Sequence, residues 1–422
     1  MPPLNRADDR LRVQKERRWM QVLSDVRVLE LCDSIAGPFA GKCFADFGAD
    51  VLKIEPPQGD PARRYGPFPH DIPNPEASGL FLHLNRNKRG LTLDLQQESV
   101  RQLFLQLVPS ADIILESFAP GQMERWGLGF ETLRAIKPSI VVGSLTPFGQ
   151  YGPYATYRGN DITYYAMGGP MNGTGSPELT PLRKTLQMVE AQAGQTFAGQ
   201  VLAAFLVARY QGEGQHVDVA GVETQLGSVD RRIIFELSYQ FTGETTNRES
   251  LSGAVGTLPM GIFPCADGYV QILTTPAWAP RMLKTLDSPE LYAYFRENPM
   301  AALDPQTGPL VQEVLFPWLL THTKQECFEL ADLQNGWPVF PINTVEEVVQ
   351  DPHFQERGYF IDIDHPVAGK QRYAGPPWRM GEGGFQVRYP APLLGQHNEA
   401  IFCGELGLTK EQLARLSNLG II

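Results

Sequence analysis

Apolar residues in the first half of the chain recur in two alternating rhythms. Short runs rich in valine, isoleucine and leucine stop at turn residues: VRVLEL (26–31), ADVLKIE (49–55), GLTLDL (90–95), ADIILE (111–116) and SIVVGSL (139–145). Runs of that length and composition predict strands. Between them, GPFAGKCFADFG (37–48), QESVRQLFLQLV (97–108) and FETLRAIKP (130–138) read as helices, the last closed by Pro138. A strand–helix–strand unit of about 30 residues is the βαβ element of a parallel sheet. Its repetition predicts an α/β fold whose large domain is a doubly wound, Rossmann-like parallel sheet.

From Ala191 to Tyr210 the pattern becomes one long helix, AQAGQTFAGQVLAAFLVARY, stopped by Gly212 and Gly214. Its first turns are Ala, Gly and Gln, which lets another backbone approach closely. Beyond about residue 222 the segments are helical and loop-separated, with one clear strand, GYVQILTT (268–275). Strand-like runs return in GWPVFPIN (336–343) and YFIDIDHP (359–366), and TKEQLARLSNLGII closes the sequence with a capped helix. The expected division is an N-terminal arm (1–25), the first part of the large domain (26–224), a smaller α+β domain (225–330) and a return to the large domain (331–422).

Composition narrows the function. The 422 residues are 42% hydrophobic and 20% charged, the profile of a soluble globular protein. A formal net charge of -11 argues against nucleic acid as partner, because phosphate binding leaves a basic footprint. No apolar run is long enough to span a bilayer, and the charged start MPPLNRADDRLRVQKERRWM has no signal-peptide core. The five cysteines form no C-x-x-C pair and the seven histidines show no ligand spacing. These features predict a cytoplasmic protein with reduced thiols, no metal site and no membrane partner. No G-x-G-x-x-G follows the first strand, so nicotinamide chemistry has little support.

Two loops gather basic and aromatic residues: LNRNKRG, with Arg86, Lys88 and Arg89, and ESFAPGQMERWG, with Phe118, Arg125 and Trp126. Loops at the carboxyl ends of parallel strands are where α/β folds bind ligands, and such residues suit phosphates and an adenine ring. The same loops, taken singly, also fit a solvated charged surface.

The stretches AGPFAGKCFADFGADVLKIEPPQGDPAR, LNRNKRGLTLDL, ESFAPGQMERWGLGFETLRAIKPSIVVGSLTPFGQYGP and GEGQHVDVAGVET resemble the class III CoA-transferase family, which also contains α-methylacyl-CoA racemase. FPCADGYVQI, DPHFQERGYF, HPVAG and LLGQHNEAIFCGELGL extend the likeness from about Val26 to the C-terminal residues. The resemblance implies a Rossmann-like large domain plus a small domain, two chains interlocked like links, and coenzyme A or acyl-CoA as substrate with no permanently bound cofactor. Carried over by motif, CoA would meet Ile35, Ala36, Gly37 and Pro38, the loop Asn87–Lys88–Arg89, Ser117, Phe118, Arg125, Trp126 and Arg158.

Family transferases carry a nucleophilic aspartate just before the small-residue helix; here that position is Glu190. The implied reaction moves CoA from an acyl-CoA, succinyl-CoA among the candidates, to a free carboxylic acid through a glutamyl anhydride and a glutamyl-CoA thioester. Gly253 and Gly256 of SGAVGTLPMG match the family's mobile glycine loop, which would shield these intermediates and offer N–H groups to an oxyanion. Glutamate has one methylene more than aspartate, which moves the carboxylate by about 1.5 Å on an unchanged backbone, and shifts of about 1 Å can cost roughly 100-fold in rate. Two readings therefore stand: an active glutamyl enzyme, or a non-catalytic subunit of a heteromer whose aspartate-bearing homologue does the chemistry. Where racemases have histidine in GHD, this chain has Asn160 before Asp161; an amide exchanges no proton at neutral pH, so racemisation loses a base. Asp161 is expected to be a structural hydrogen-bonding residue. Asp230, Arg231 and Arg232 fall on a helix entering the small domain, where an Arg pair would suit either an ion-paired face or a dicarboxylate.

Overall fold

A computed structural model describes residues 21–185, 187–226, 232–245, 248, 258–381 and 384–422. Gly253, Gly256, Asp230, Arg231 and most of the expected N-terminal arm lie outside the described residues. The chain forms two compact units, one of Met1–Pro170, Arg183–Glu236 and Gly358–Ile422, the other of Met171–Leu182 and Leu237–Arg357.

The first unit is built on six parallel strands: β1 (Arg27–Leu31), β2 (Asp50–Glu55), β3 (Lys88–Thr92), β4 (Ile113–Glu116), β5 (Val141–Thr146) and β6 (His216–Ala220). Their order, β3-β2-β1-β4-β5-β6, is that of a Rossmann-like sheet. It reverses between β1 and β4, which opens a crevice at the carboxyl ends of those strands. The helices are α1 (Ala36–Asp46), α2 (Gly79–Asn85), α3 (Glu98–Leu107), α4 (Gln122–Arg125), α5 (Phe130–Ile136), α6 (Asp161–Met167) and α7 (Met188–Gln211).

Alternate strand positions bury opposite faces, as the pleat requires. Val28, Val51, Ile113 and Val141 pack with Phe44 of α1 and Phe197, Val201 and Phe205 of α7. Leu29, Leu52, Ile114 and Val142 pack with Phe104 of α3 and with Ile401 and Phe402. Burial on both faces is why these strands read as apolar runs. β3 starts at Lys88, two residues before the expected strand, and α7 starts at Met188, three residues early, so Glu190 lies inside its first turn. Strand β6 and helix α6 are additions; exposed His216 and exposed Asp218 interrupt the apolar signal of β6.

Helices α1 and α7 cross almost backbone to backbone. A Cβ on Gly194 would lie 2.2 Å from the Ala36 carbonyl oxygen, whereas one on Gly199 would meet nothing within 4 Å. We expect Gly194→Ala to cost about 1–3 kcal/mol by overpacking. Gly199→Ala should instead stabilise by about 0.5–1 kcal/mol through helix propensity. Thermal unfolding of the two variants should move Tm in opposite directions.

Strand β3 is an edge strand, and the last segment of the chain seals it. Asn87 N–H donates to the Tyr389 carbonyl (3.1 Å), His397 N–H to the Gly90 carbonyl (3.0 Å) and Asp94 N–H to the Ile421 carbonyl (2.9 Å). Gly90 N–H donates to His397 Nδ1 (3.0 Å) and Thr92 N–H to Asn398 Oδ1 (2.9 Å). The edge groups that would otherwise template another strand are thereby used.

In the second unit, β7 (Met260–Cys265), β8 (Gly268–Leu273) and β9 (Val339–Pro341) form an antiparallel sheet. Phe263, Val270, Ile272, Met282, Leu315 and Trp337 form its core. Residues 339–341, expected with the segment returning to the large domain, pair with β8 in this unit instead. β10 (Phe360–His365) and β11 (Gly369–Ala374) make a hairpin in the first unit.

Candidate active site

Glu190 stands in the first turn of α7, which is entered through Gln187 at φ 70°. The first free N–H groups of that helix are already used: Asp161 Oδ1 accepts from Val189 N–H (2.9 Å) and from Glu190 N–H (3.1 Å). Burial raises the Glu190 carboxyl to a pKa of about 7, helped by the like charges of Asp161 and Asp33, while the Asp161 main-chain N–H opposes the rise. Tyr164, one turn along α6, has its own pKa raised by burial and by the negative charges of Glu190 and Asp161. Glu190 is therefore a half-buried carboxylate, near half-ionised at neutral pH, among other acids.

The surrounding backbone comes from the crevice at the switch point. Asp33 follows β1, and its N–H donates to Ser117 Oγ (3.2 Å) just after β4. Ile35 precedes α1, and Ala36 faces Gly194, one turn beyond Glu190. Glu116, buried at the end of β4, has its pKa raised to about 7 by burial and accepts from Phe118 N–H (2.7 Å). Phe118 and Trp126 meet edge to face at 4.9 Å, and exposed Arg125 donates to Gln122 Oε1 at 2.7 Å. Arg158 lies on an exposed loop between β5 and α6. Ile35, Ala36, Ser117 and Glu190 thus share one end of the sheet, with Phe118, Arg125 and Trp126 continuing from β4.

The basic loop does not match its expected setting. Asn87, Lys88 and Arg89 lie at the amino end of β3, not beyond the carboxyl end of a strand. Lys88 is fully buried, its Nζ on Glu30 Oε2 (2.7 Å), the Pro38 carbonyl (2.8 Å) and Asn85 Oδ1 (2.9 Å). Arg89 pairs with Asp50 and Glu405, and buried Asn87 donates to the Gln386 carbonyl (3.0 Å). A charged tripeptide looks solvated in sequence; here partners distant along the chain neutralise it.

The sequence profile of CoA-transferase family III matches residues 23–398. The chain belongs to that family. It is 34% identical to succinyl-CoA–D-citramalate CoA-transferase of Chloroflexus aurantiacus, over 95% of this chain and 98% of the relative. It is 32% identical to the succinyl-CoA–L-malate CoA-transferase alpha subunit of the same organism, over 95% and 92%. A crystal structure of a CaiB/BaiF family protein from Brucella suis superposes with a TM-score of 0.76 at 28% identity, covering 90% of this chain and 98% of that one.

In this CoA-transferase family III chain, no helix among the described residues is long and apolar enough to cross a membrane. Asp33 and Glu116 were not anticipated at the site. Asp33 carries no motif signal by itself, and Glu116 reads as the end of a strand; the sheet order places them at the carboxyl ends of the adjacent strands β1 and β4.

Proposed function

We propose that this chain transfers CoA between an acyl-CoA and a free carboxylic acid, with Glu190 as nucleophile. The observation that carries the reading is one half-buried carboxylate at the sheet's switch point with a pKa near 7. A Glu190 oxygen attacks the thioester carbonyl, the C–S bond breaks, and CoA leaves as thiolate from a mixed anhydride. The thiolate attacks the Glu190 carbonyl, expelling the donor acid as carboxylate and leaving glutamyl-CoA. The acceptor carboxylate attacks that thioester to form a second anhydride. The thiolate then attacks the acceptor's carbonyl, giving the new acyl-CoA and restoring Glu190. The thioester bond is exchanged rather than hydrolysed. The relatives' names favour succinyl-CoA as donor. CoA would lie along Ile35–Pro38, Ser117, Phe118, Arg125, Trp126 and Arg158, in an interlocked dimer. Lys88 and Asn87 would support this surface from beneath rather than touch phosphate.

A second reading has this chain as the non-catalytic partner of an aspartate-bearing homologue. It is favoured by the relative whose name makes it an alpha subunit. Peptide mass spectrometry decides between them. The purified chain is incubated with succinyl-CoA and a panel of acyl-CoAs, then trapped with hydroxylamine. A hydroxamate on Glu190 is the expected result; an unmodified Glu190 with CoA bound assigns the chemistry to the partner subunit.

A further inference from the structure

We propose that Asp161 is a positioning residue for Glu190, holding the main chain at the start of α7; the role rests on Glu190 acting as the nucleophile. Asp161 opens α6, and its carboxylate accepts the Val189 and Glu190 N–H groups at 2.9 and 3.1 Å. Its own main-chain N–H lies on the side of Glu190 where it works against the rise in the carboxyl pKa. The two residues lie 29 apart in sequence, so this contact ties two helices together. This answers the question of the extra methylene. A glutamate adds a rotatable bond as well as reach, and the anchored main chain fixes where the longer side chain begins.

The clamp is also electrostatic. A helix N-terminus ordinarily favours a nearby anion. Here Asp161 occupies those N–H groups and adds a like charge. Among the described residues, the ionisable groups that interact with Glu190 include Asp161, Asp33 after β1 and Tyr164 on α6, and each of these is acidic. When Glu190 becomes an anhydride or a thioester it loses its charge, and its repulsion with Asp161 disappears. Asp161 therefore favours the covalent states over the free carboxylate, so the enzyme–CoA thioester accumulates.

Two variants separate geometry from charge. Asp161→Asn keeps an acceptor oxygen for both N–H groups and removes the charge. Asp161→Ala removes both. For Asp161→Ala we expect kcat to fall about 100-fold with KM for the acyl-CoA little changed, because the nucleophile is misplaced while CoA contacts remain. For Asp161→Asn we expect kcat above pH 8 to stay within about tenfold of wild type. Its acid limb should move to lower pH by about one unit, and the trapped glutamyl-CoA fraction should fall about tenfold. Wild-type kcat in Asp161→Ala, or an unmoved acid limb and thioester fraction in Asp161→Asn, overturns the proposal. Should Asp161→Ala fail to fold by circular dichroism, the Asp161→Asn profile decides alone. Glu190→Gln runs alongside: full activity there removes the nucleophile and with it the clamp. An inactive Glu190→Gln with unaffected Asp161 variants removes the clamp only.

Discussion

Glu190→Gln should lower kcat by more than about a thousandfold, because an amide cannot form the anhydride that the exchange requires. Binding of CoA should persist, measured by calorimetry, since the substitution is isosteric and lies away from the surface proposed for the nucleotide. Glu190→Asp keeps the chemistry but draws the carboxylate back by about 1.5 Å, with an expected loss of roughly 100-fold. A thermal readout gives an independent check. The Glu190 pKa rises from 4.5 to about 7 on folding, so between those values the folded chain binds the proton more tightly than the unfolded one. Stability is therefore lost as pH rises from about 4.5 to about 7, and the loss is complete above that window. Glu190→Gln escapes it and should melt higher than wild type at pH 8, while the two converge near pH 4.5. An active variant, or a Tm difference that does not grow with pH, would count against the assignment.

Glu30→Ala should be the most damaging substitution in the first unit. Glu30 is fully buried on β1 and shared by two fully buried lysines, Lys53 at 3.2 Å and Lys88 at 2.7 Å. Its removal leaves two positive charges without their common carboxylate. Breaking a buried pair costs about 3–5 kcal/mol, a large part of the roughly 5–15 kcal/mol that holds a typical protein folded. Burial pulls Lys88 down to a pKa of about 8, while Glu30 holds it up. Without Glu30 the folded chain holds that proton less tightly still, widening a gap to the unfolded chain that wild type already has. Stability of Glu30→Ala should thus rise with pH relative to wild type, and urea midpoints at pH 6.5 and 9 should show the deficit narrowing. Equal deficits at both values would mean that the lysines are compensated elsewhere.

Residue pattern alone made most of the first sheet legible, because strands β1, β2, β4 and β5 are buried on both faces and carry mostly apolar side chains. The helix carrying Glu190 was legible in its length and in its glycine, whose place beside Ala36 explains why no larger residue stands there. What stayed hidden depends on partners far along the chain. Lys88 and Arg89 read as solvent-facing until Glu30, Asp50 and Glu405 are placed around them. Asp161 read as a hydrogen-bonding residue, but its target was unknowable before α6 and α7 were brought together. Residues 339–341 have the same strand character wherever they pair, so periodicity could not assign them to a unit.

The seal along β3 also bears on how the protein is made. The sixth strand has left the ribosome once Ala220 emerges, yet the groups that close the β3 edge belong to Tyr389, His397, Asn398 and Ile421. At about 5–20 residues per second, the roughly 180 residues between Ala220 and Asn398 take some 10–40 s to synthesise. Throughout that interval the nascent sheet presents an open edge, the kind of unpaired strand that invites aggregation. Truncation before Tyr389 should turn a transient exposure into a permanent one and yield aggregates instead of a smaller soluble domain.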